Sequence, residues 1–369
     1  MSGTGRLVGV DVARAVALFG MFAAHVGDVP DLVDWSDPGT WAAVVHGRSS
    51  TLFAVLAGVS IALVSGRTDP VGRAGVGRVR VRLAIRAVLI VAVGVILMAL
   101  ATPVAVILPT YGALFLVVLP AIRWSRPALL TAAGGTVLLS VPAALATVPF
   151  YSGASSFATQ LGLVYPVVTF LGYVLVGMAI GRSDLTDRRV QGMLVAVGGL
   201  LAIGAYAAGV WLAPIDPSAY SYPGVPTAGN AQTPRGAVLQ ELFSPRDHSS
   251  SIVDMVGTIG VAAAVIGLST ILFNGSSRRA HAVAWAIAPV AAAGSMPLSV
   301  YALHLVAIAV LRNGPAGLMD GAGTAVAFVL GAIGFAAVWS RFIGRGPLEA
   351  MLTVLSRPSP SPEVTAGPR

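Results

Sequence analysis

The stretch Leu7-Val-Gly-Val-Asp11-Val-Ala-Arg14-Ala-Val-Ala-Leu-Phe-Gly-Met21-Phe-Ala-Ala-His25-Val26 decides the fold class and supplies the first functional candidates. About twenty mainly apolar residues are enough to cross a bilayer's hydrocarbon core as one helix. Inside it stand Asp11, Arg14 and His25. At about 100° per residue the three side chains fall on one stripe, with His25 turned from Arg14 by about 20° and roughly 16 Å further along the axis. Charge within a membrane helix is costly, so a stripe of this kind is a functional candidate.

The rest of the chain agrees with a membrane environment. Of 369 residues 56% are hydrophobic and only 10% charged, against about a quarter charged in soluble domains. Apolar spans are read at 7–26, 50–66, 82–101, 104–122, 127–148, 161–181, 190–213, 252–273, 283–311 and 321–343. The sequence therefore predicts an all-α, polytopic membrane helix bundle of ten helices, or eleven around the long ninth stretch.

Charge supplies a separate test of this order. All 23 basic residues are arginines. With a cytoplasmic N-terminus, alternation of the ten spans puts 18 arginines inside and four, Arg48, Arg235, Arg246 and Arg312, outside, with Arg14 inside a span. That asymmetry is what the positive-inside rule requires, and it puts both termini in the cytoplasm. It also accounts for the net charge of +8 without nucleic acid, which is not an expected partner. A cysteine replacing Ser218, in the 214–251 loop, should accordingly be labelled from outside; labelling only from inside would overturn the topology.

Residues 1–349 read as one transmembrane domain and 350–369 as a cytoplasmic segment with a proline-rich, disordered tail after Ser356. The first span carries Asp11 and Arg14 and has no small-x-small cleavage site, so it reads as a retained helix. The absence of cysteine excludes disulfides and thiol catalysis. Inner loops are short and arginine-rich, whereas the outer loops at 27–49, 149–160 and 214–251 are longer, which directs the search for chemistry outward.

Four of five histidines fall in that outer layer: His46 and His248 in loops, His25 and His304 in the outer thirds of spans one and nine. His281, beside Arg278 and Arg279, is read as a basic flanking residue. Each outer histidine has a plain explanation, as an interfacial group or an interhelical hydrogen-bonding residue. Their shared depth favours chemistry, because imidazole takes and returns protons near neutral pH. The segment His46-Gly47-Arg48-Ser49-Ser50 precedes an apolar run, so its serines are expected to cap a helix whose positive end, with Arg48, would receive an anion. A capped helix with an interfacial arginine is the competing reading. No Gly-x-Ser-x-Gly elbow supports a serine hydrolase.

Other patterns are set aside. Asn274-Gly275-Ser276 fits a glycosylation sequon but faces the cytoplasm in this topology. Gly177 and Gly181 suggest helix packing. His25, His46, His248, Asp28 and Asp247 lack the close spacing of a helix-borne zinc site, so no metal is expected. The run Arg67 to Arg86 suits either a cofactor entrance or a face for anionic membrane lipid.

Arg6-Leu-Val-Gly-Val-Asp11-Val-Ala-Arg14-Ala-Val-Ala-Leu-Phe-Gly-Met21, ending in His25, resembles the opening helix of the transmembrane acyltransferases typified by heparan-α-glucosaminide N-acetyltransferase. Further similar segments are His46-Gly-Arg-Ser-Ser-Thr-Leu-Phe-Ala-Val-Leu-Ala-Gly58, Tyr165-Pro-Val-Val-Thr-Phe-Leu-Gly-Tyr-Val-Leu-Val-Gly177, Met296-Pro-Leu-Ser-Val-Tyr301-Ala-Leu-His304 and Gly346-Pro-Leu-Glu349. Similar segments occur in uncharacterised bacterial multispanning proteins. Ala15 stands where family members often have glycine, and the loop 27–45 holds no histidine.

The resemblance implies acyl transfer from cytosolic acyl-CoA to a sugar acceptor across the membrane, with a histidine central to the transfer. It makes His25 the expected base or acyl carrier, His46 a second catalytic or acceptor-orienting group, and Arg14 the donor-binding residue, oriented by Asp11. Arg48, Ser49, Tyr301 and His304 complete the substrate shell. Direct transfer and an acyl-histidine intermediate both remain open, and the oligomeric state is unread. The expected setting is the inner membrane, with acetyl-CoA as donor and an envelope glycan or glycolipid as acceptor. A transporter or flippase, using the Asp11, Arg14 and His25 stripe for protons or anions, is the runner-up from another class.

Overall fold

The computed structural model describes residues 7–31, 33, 36–151, 165–213, 234–274, 285–314 and 317–357. Its helices, in chain order, are α1 (Val8–Val26), α2 (Arg48–Val64), α3 (Arg73–Met98), α4 (Leu108–Val117), α5 (Arg126–Tyr151), α6 (Val167–Gly181) and α7 (Arg188–Leu212). After these come α8 (Pro234–Phe243), α9 (Ile252–Phe273), α10 (Ala288–Ser295), α11 (Pro297–Arg312), α12 (Ala322–Phe342) and α13 (Pro347–Leu355). Short 3-10 turns at Pro38–Val45 and Pro120–Arg123 complete the set, and no strand occurs among the described residues.

Among the described residues seven helical stretches are long and apolar enough to cross a membrane, or eight if α10 and α11 count as one bent span. The count of ten is modified where proline intervenes. Pro109 and Pro120 confine the fourth stretch to α4, 10 residues long, which at 1.5 Å per residue is too short to cross alone. In the sixth, α6 follows Pro166 and has 15 residues, while 161–164 lie outside the described residues. The long ninth stretch is broken before Pro297 with a bend of 86°, because proline lacks the N–H and its ring clashes with the preceding turn. His281 and the Arg278–Arg279 pair lie outside the described residues, as do Ser218 and the tail from 358.

The helices form two zones. About half or more of the apolar windows of α1, α2 and α9 is buried, against 22% for α3, 28% for α5, 11% for α7 and 17% for α12. The second group turns residues such as Val88, Leu138, Leu200, Ile203 and Leu330 outward. Lipid is as apolar as leucine, so close backbone approach has to hold the inner helices together. α2 and α6 show how: a Cβ on Gly58 would lie 2.1 Å from the Val174 oxygen, and one on Gly177 1.9 Å from the Val55 oxygen. Gly177→Ala should therefore cost about 1–3 kcal/mol by overpacking. Gly199→Ala, where nothing lies within 4 Å, is the control. Equal thermal unfolding of both variants in detergent would refute the packing role.

The arginines gather at one end. Arg182, only 5% exposed, donates to the carbonyls of Ser65, Arg67 and Ile122 and to Ser65 Oγ, tying α2, α6 and the 120–123 turn together. Arg188 reaches the Ile271 carbonyl at 2.8 Å. Asn274 at that end accepts from Gly9 N–H at 2.8 Å, satisfying an orphan donor of the α1 N-terminus. The C-terminus of α1 and the N-terminus of α2, with Arg48, occupy the opposite end.

Candidate functional site

At the arginine-poor end, α1 brings His25 against His304 of α11. Nδ1 of His25 stands 3.1 Å from Nε2 of His304, and the two rings are stacked 11° from parallel at 5.3 Å. His304 is 3% exposed, enclosed by Phe22 and Tyr301, and its Nδ1 contacts the Tyr301 carbonyl oxygen. A carbonyl only accepts, so His304 Nδ1 carries its proton and Nε2 offers a lone pair. His25 Nδ1 is then the donor between the rings, which leaves His25 Nε2 as the basic nitrogen. These tautomers are assigned from the hydrogen-bond network.

His46 lies close enough to interact electrostatically with both His25 and His248. Its Nε2 is buried without a hydrogen-bond partner. Helix α2 begins at Arg48 with Gly47 as its N-cap, so the expected serine cap is replaced. Gly47 takes φ +66°, and a Cβ there would lie 2.8 Å from that of Asp247. Ser50 instead donates to the Gly47 carbonyl at 2.9 Å, while buried Ser49 packs its hydroxyl where a Cβ on Gly20 would stand. Arg48 donates to Tyr206 Oη at 3.1 Å and to the His46 carbonyl at 3.1 Å, with its guanidinium 4.9 Å from the Tyr206 ring centre. Burial pulls the loop imidazole of His248 below its ordinary pKa, against the pull of Asp247.

Three residues of this layer escape a reading by motif. Asp254, 2% exposed in the first turn of α9, lies within electrostatic range of Arg48 and keeps Oδ1 without a hydrogen-bond partner. As an acid within an apolar span it was findable by the rule that marks Asp11. Tyr206 and Tyr173 carry no such signal: Tyr206 sits in an outward helix, and Tyr173 shows its role only by meeting Thr258 Oγ1 at 3.2 Å. Tyr301, expected in the substrate shell, is 1% exposed and its hydroxyl accepts from Ile107 N–H at 3.3 Å. Among the described residues no group of three His, Cys, Asp or Glu side chains could hold a metal ion.

Toward the arginine-rich end opens a cavity of about 180 Å³. It follows α2 from Phe53 to Val64, roughly 16 Å of helix. Arg14, Ser60, Arg86 and Glu349 supply its polar groups, and the remaining wall is mostly aliphatic. Arg14 is held by Asp11 Oδ1 at 2.6 Å and donates to Ser60 Oγ at 3.0 Å, so the expected ion pair is formed inside the protein. Arg86 donates through Nε to Ser356 Oγ at 3.3 Å, with Arg82 and Arg345 as charged neighbours. Phe53 and Tyr111 stack at 5.6 Å at the cavity's other end. Gly20 packs level with Ser49, so His25 stands roughly 13 Å beyond Phe53 along the helix axes.

A family model described as heparan-alpha-glucosaminide N-acetyltransferase, catalytic, matches residues 6–215, more than half of the chain. A second, described as a protein of unknown function (DUF418), matches residues 228–357. No curated protein matches the chain. The site takes His25, His46, Arg14 and Arg48 from the first matched region and Asp254, Tyr301, His304 and Glu349 from the second.

Proposed function

Because this multi-pass membrane chain belongs to the heparan-α-glucosaminide N-acetyltransferase catalytic family, we propose that it transfers an acyl group, acetyl in the simplest case, from acyl-CoA to a sugar or glycolipid acceptor. The donor enters from the cytoplasm, and the acceptor belongs to the envelope outside the inner membrane. The observation that carries this reading is the His25–His304 contact: with His304 Nδ1 donating to the Tyr301 carbonyl, its Nε2 accepts the hydrogen bond from His25 Nδ1–H and leaves the His25 Nε2 lone pair for the reaction.

In this role His25 Nε2 removes the proton from the acceptor amine or hydroxyl as that atom attacks the thioester carbonyl. The same proton then leaves with the CoA thiolate. Acylation of Nε2 itself, followed by attack of the acceptor, uses the same geometry. The cavity offers guanidinium groups to donor phosphates at one end and an apolar slot to the donor's arm along α2. The stacked Phe53 and Tyr111 rings line the slot at the end nearer the histidine layer, and in this reading they part for transfer. His46, Arg48 and Asp254 face the acceptor side.

The test is CoA release by protein reconstituted in vesicles, assayed across a panel of membrane glycolipids. Acceptor-dependent release is expected. No release with any acceptor, alongside measurable solute movement, would replace this reading with a carrier of protons or anions.

A further inference from the structure

Glu349 takes no part in the transfer described above, yet its carboxylate is tied down at several points. Oε1 accepts from Leu298 N–H at 2.7 Å and from Ser299 N–H at 3.1 Å, and Oε2 accepts from Ser299 Oγ. Ser299 Oγ in turn accepts from Leu348 N–H at 3.0 Å. The N-termini of α11 and α13 are thus interlocked through one carboxylate and one hydroxyl.

The arrangement answers a local need. α11 begins after the 86° break, so its first N–H groups have no preceding turn to bond. A broken helix in a membrane protein has to satisfy such groups from elsewhere, and a carboxylate at the positive end does so with charge as well as geometry. Glu349 therefore sets where α11 starts along its own axis. Leu298 and His304 are six residues apart on α11, roughly 9 Å of stiff helix. At its upper part α11 places His304 Nε2 3.1 Å from His25 Nδ1. A hydrogen bond of that length is lost on stretching to about 3.6 Å. Half an ångström of helix travel is sufficient to uncouple the pair.

The same carboxylate lines the cavity with Arg14 and Arg86, and Ser356, just beyond α13, holds Arg86. A phosphate drawn to those guanidinium groups competes with what anchors α13 and, through Glu349, α11.

We propose that Glu349 is a positioning residue for the His25–His304 pair, acting through α11, and that occupancy of the cavity is transmitted to the histidines along the same helix. The second half rests on the acyl-CoA reading; the first does not.

The test reads imidazole nitrogen-15 shifts of the full-length protein, labelled at histidine, in detergent micelles. Wild type, Glu349→Ala, Glu349→Gln and the loop control Asp184→Asn are compared. Wild type should show one histidine protonated at Nδ1 and accepting at Nε2. Glu349→Ala should lose that fixed tautomer, Glu349→Gln, which keeps one acceptor oxygen, should retain part of it, and Asp184→Asn should match wild type. If Glu349→Ala does not fold, the glutamine variant carries the comparison. In turnover, kcat should fall about tenfold in Glu349→Ala and stay at the wild-type value in Asp184→Asn. Wild-type shifts in both Glu349 variants would overturn the positioning role whatever the enzyme does. Changed shifts in a protein that shows no transfer would leave positioning intact and remove the acyltransferase reading. CoA added to wild type should move the histidine signals and should not do so in Glu349→Ala; binding of CoA without any shift in wild type would overturn the transmission.

Discussion

His25→Ala lowers turnover by about a hundredfold or more, the range expected for loss of a general base, while the protein stays folded. The side chain is half-buried at the end of α1 and contributes one hydrogen bond to His304. Its removal leaves His304 Nε2 unsatisfied, at a cost of about 1–3 kcal/mol, which lowers the unfolding temperature without preventing folding. Donor binding changes far less than turnover, because the cavity wall does not include His25. His304→Ala gives a smaller loss, about tenfold, since the basic nitrogen remains but its tautomer is no longer fixed. His46→Ala is milder than His25→Ala. The measurement is acceptor-dependent CoA release beside equilibrium CoA binding. Unchanged turnover in a folded His25→Ala protein would remove His25 from the chemistry.

Arg14→Ala loses donor affinity and stability together. Asp11 and Arg14 are paired at 2.6 Å with side chains only 9% and 16% exposed, on a helix lying among α2, α9 and α10. Removing one partner leaves the other charge uncompensated in a poorly solvated place, which costs about 3–5 kcal/mol. Arg14→Lys recovers part, because a point charge cannot serve Asp11 Oδ1 and Ser60 Oγ as the planar fork does. The double variant Asp11→Asn with Arg14→Gln separates the two effects: it removes the stranded charge and restores thermal stability, yet leaves CoA affinity low. Wild-type CoA affinity in that double variant would take Arg14 out of the donor site and leave it a structural role.

The ion pair was legible in the chain because spacing of three residues on one helix brings side chains together whatever surrounds them. His25 was legible as a polar group in an apolar span, and so in principle was Asp254. His304 was legible as a candidate, but not its task, since its partner is 279 residues away and the link depends on which face α11 turns to α1. The serine cap expected at α2 failed because Gly47, at φ +66°, turned the chain two residues before Ser49, against Asp247. Glu349 stood in a recognisable Gly-Pro-Leu-Glu segment, yet nothing local says that it bonds Leu298 and Ser299 some 50 residues before it.

What the sequence determined by itself is what depends on one residue or one helical turn. Its apolar stretches mark helices of a membrane protein, its 18-to-4 division of arginines over ten read spans sets the sidedness to be tested, and Asp11, Arg14 and His25 fall on one stripe. The read spans 104–122 and 283–311 run through their prolines without a break, and the 86° angle at Pro297 appears only in the structure. Tertiary structure alone decided which helices lie inside, through contacts as close as Gly58 with Gly177. It also decided that α4 and α6 stay short, that the histidines pair, and that a carboxylate near the C-terminus holds the helix bearing one of them. The physical reason is that a bilayer makes lipid-facing and protein-facing surfaces equally apolar. Hydropathy therefore marks each span without saying what it touches, and only the packed bundle fixes the partners.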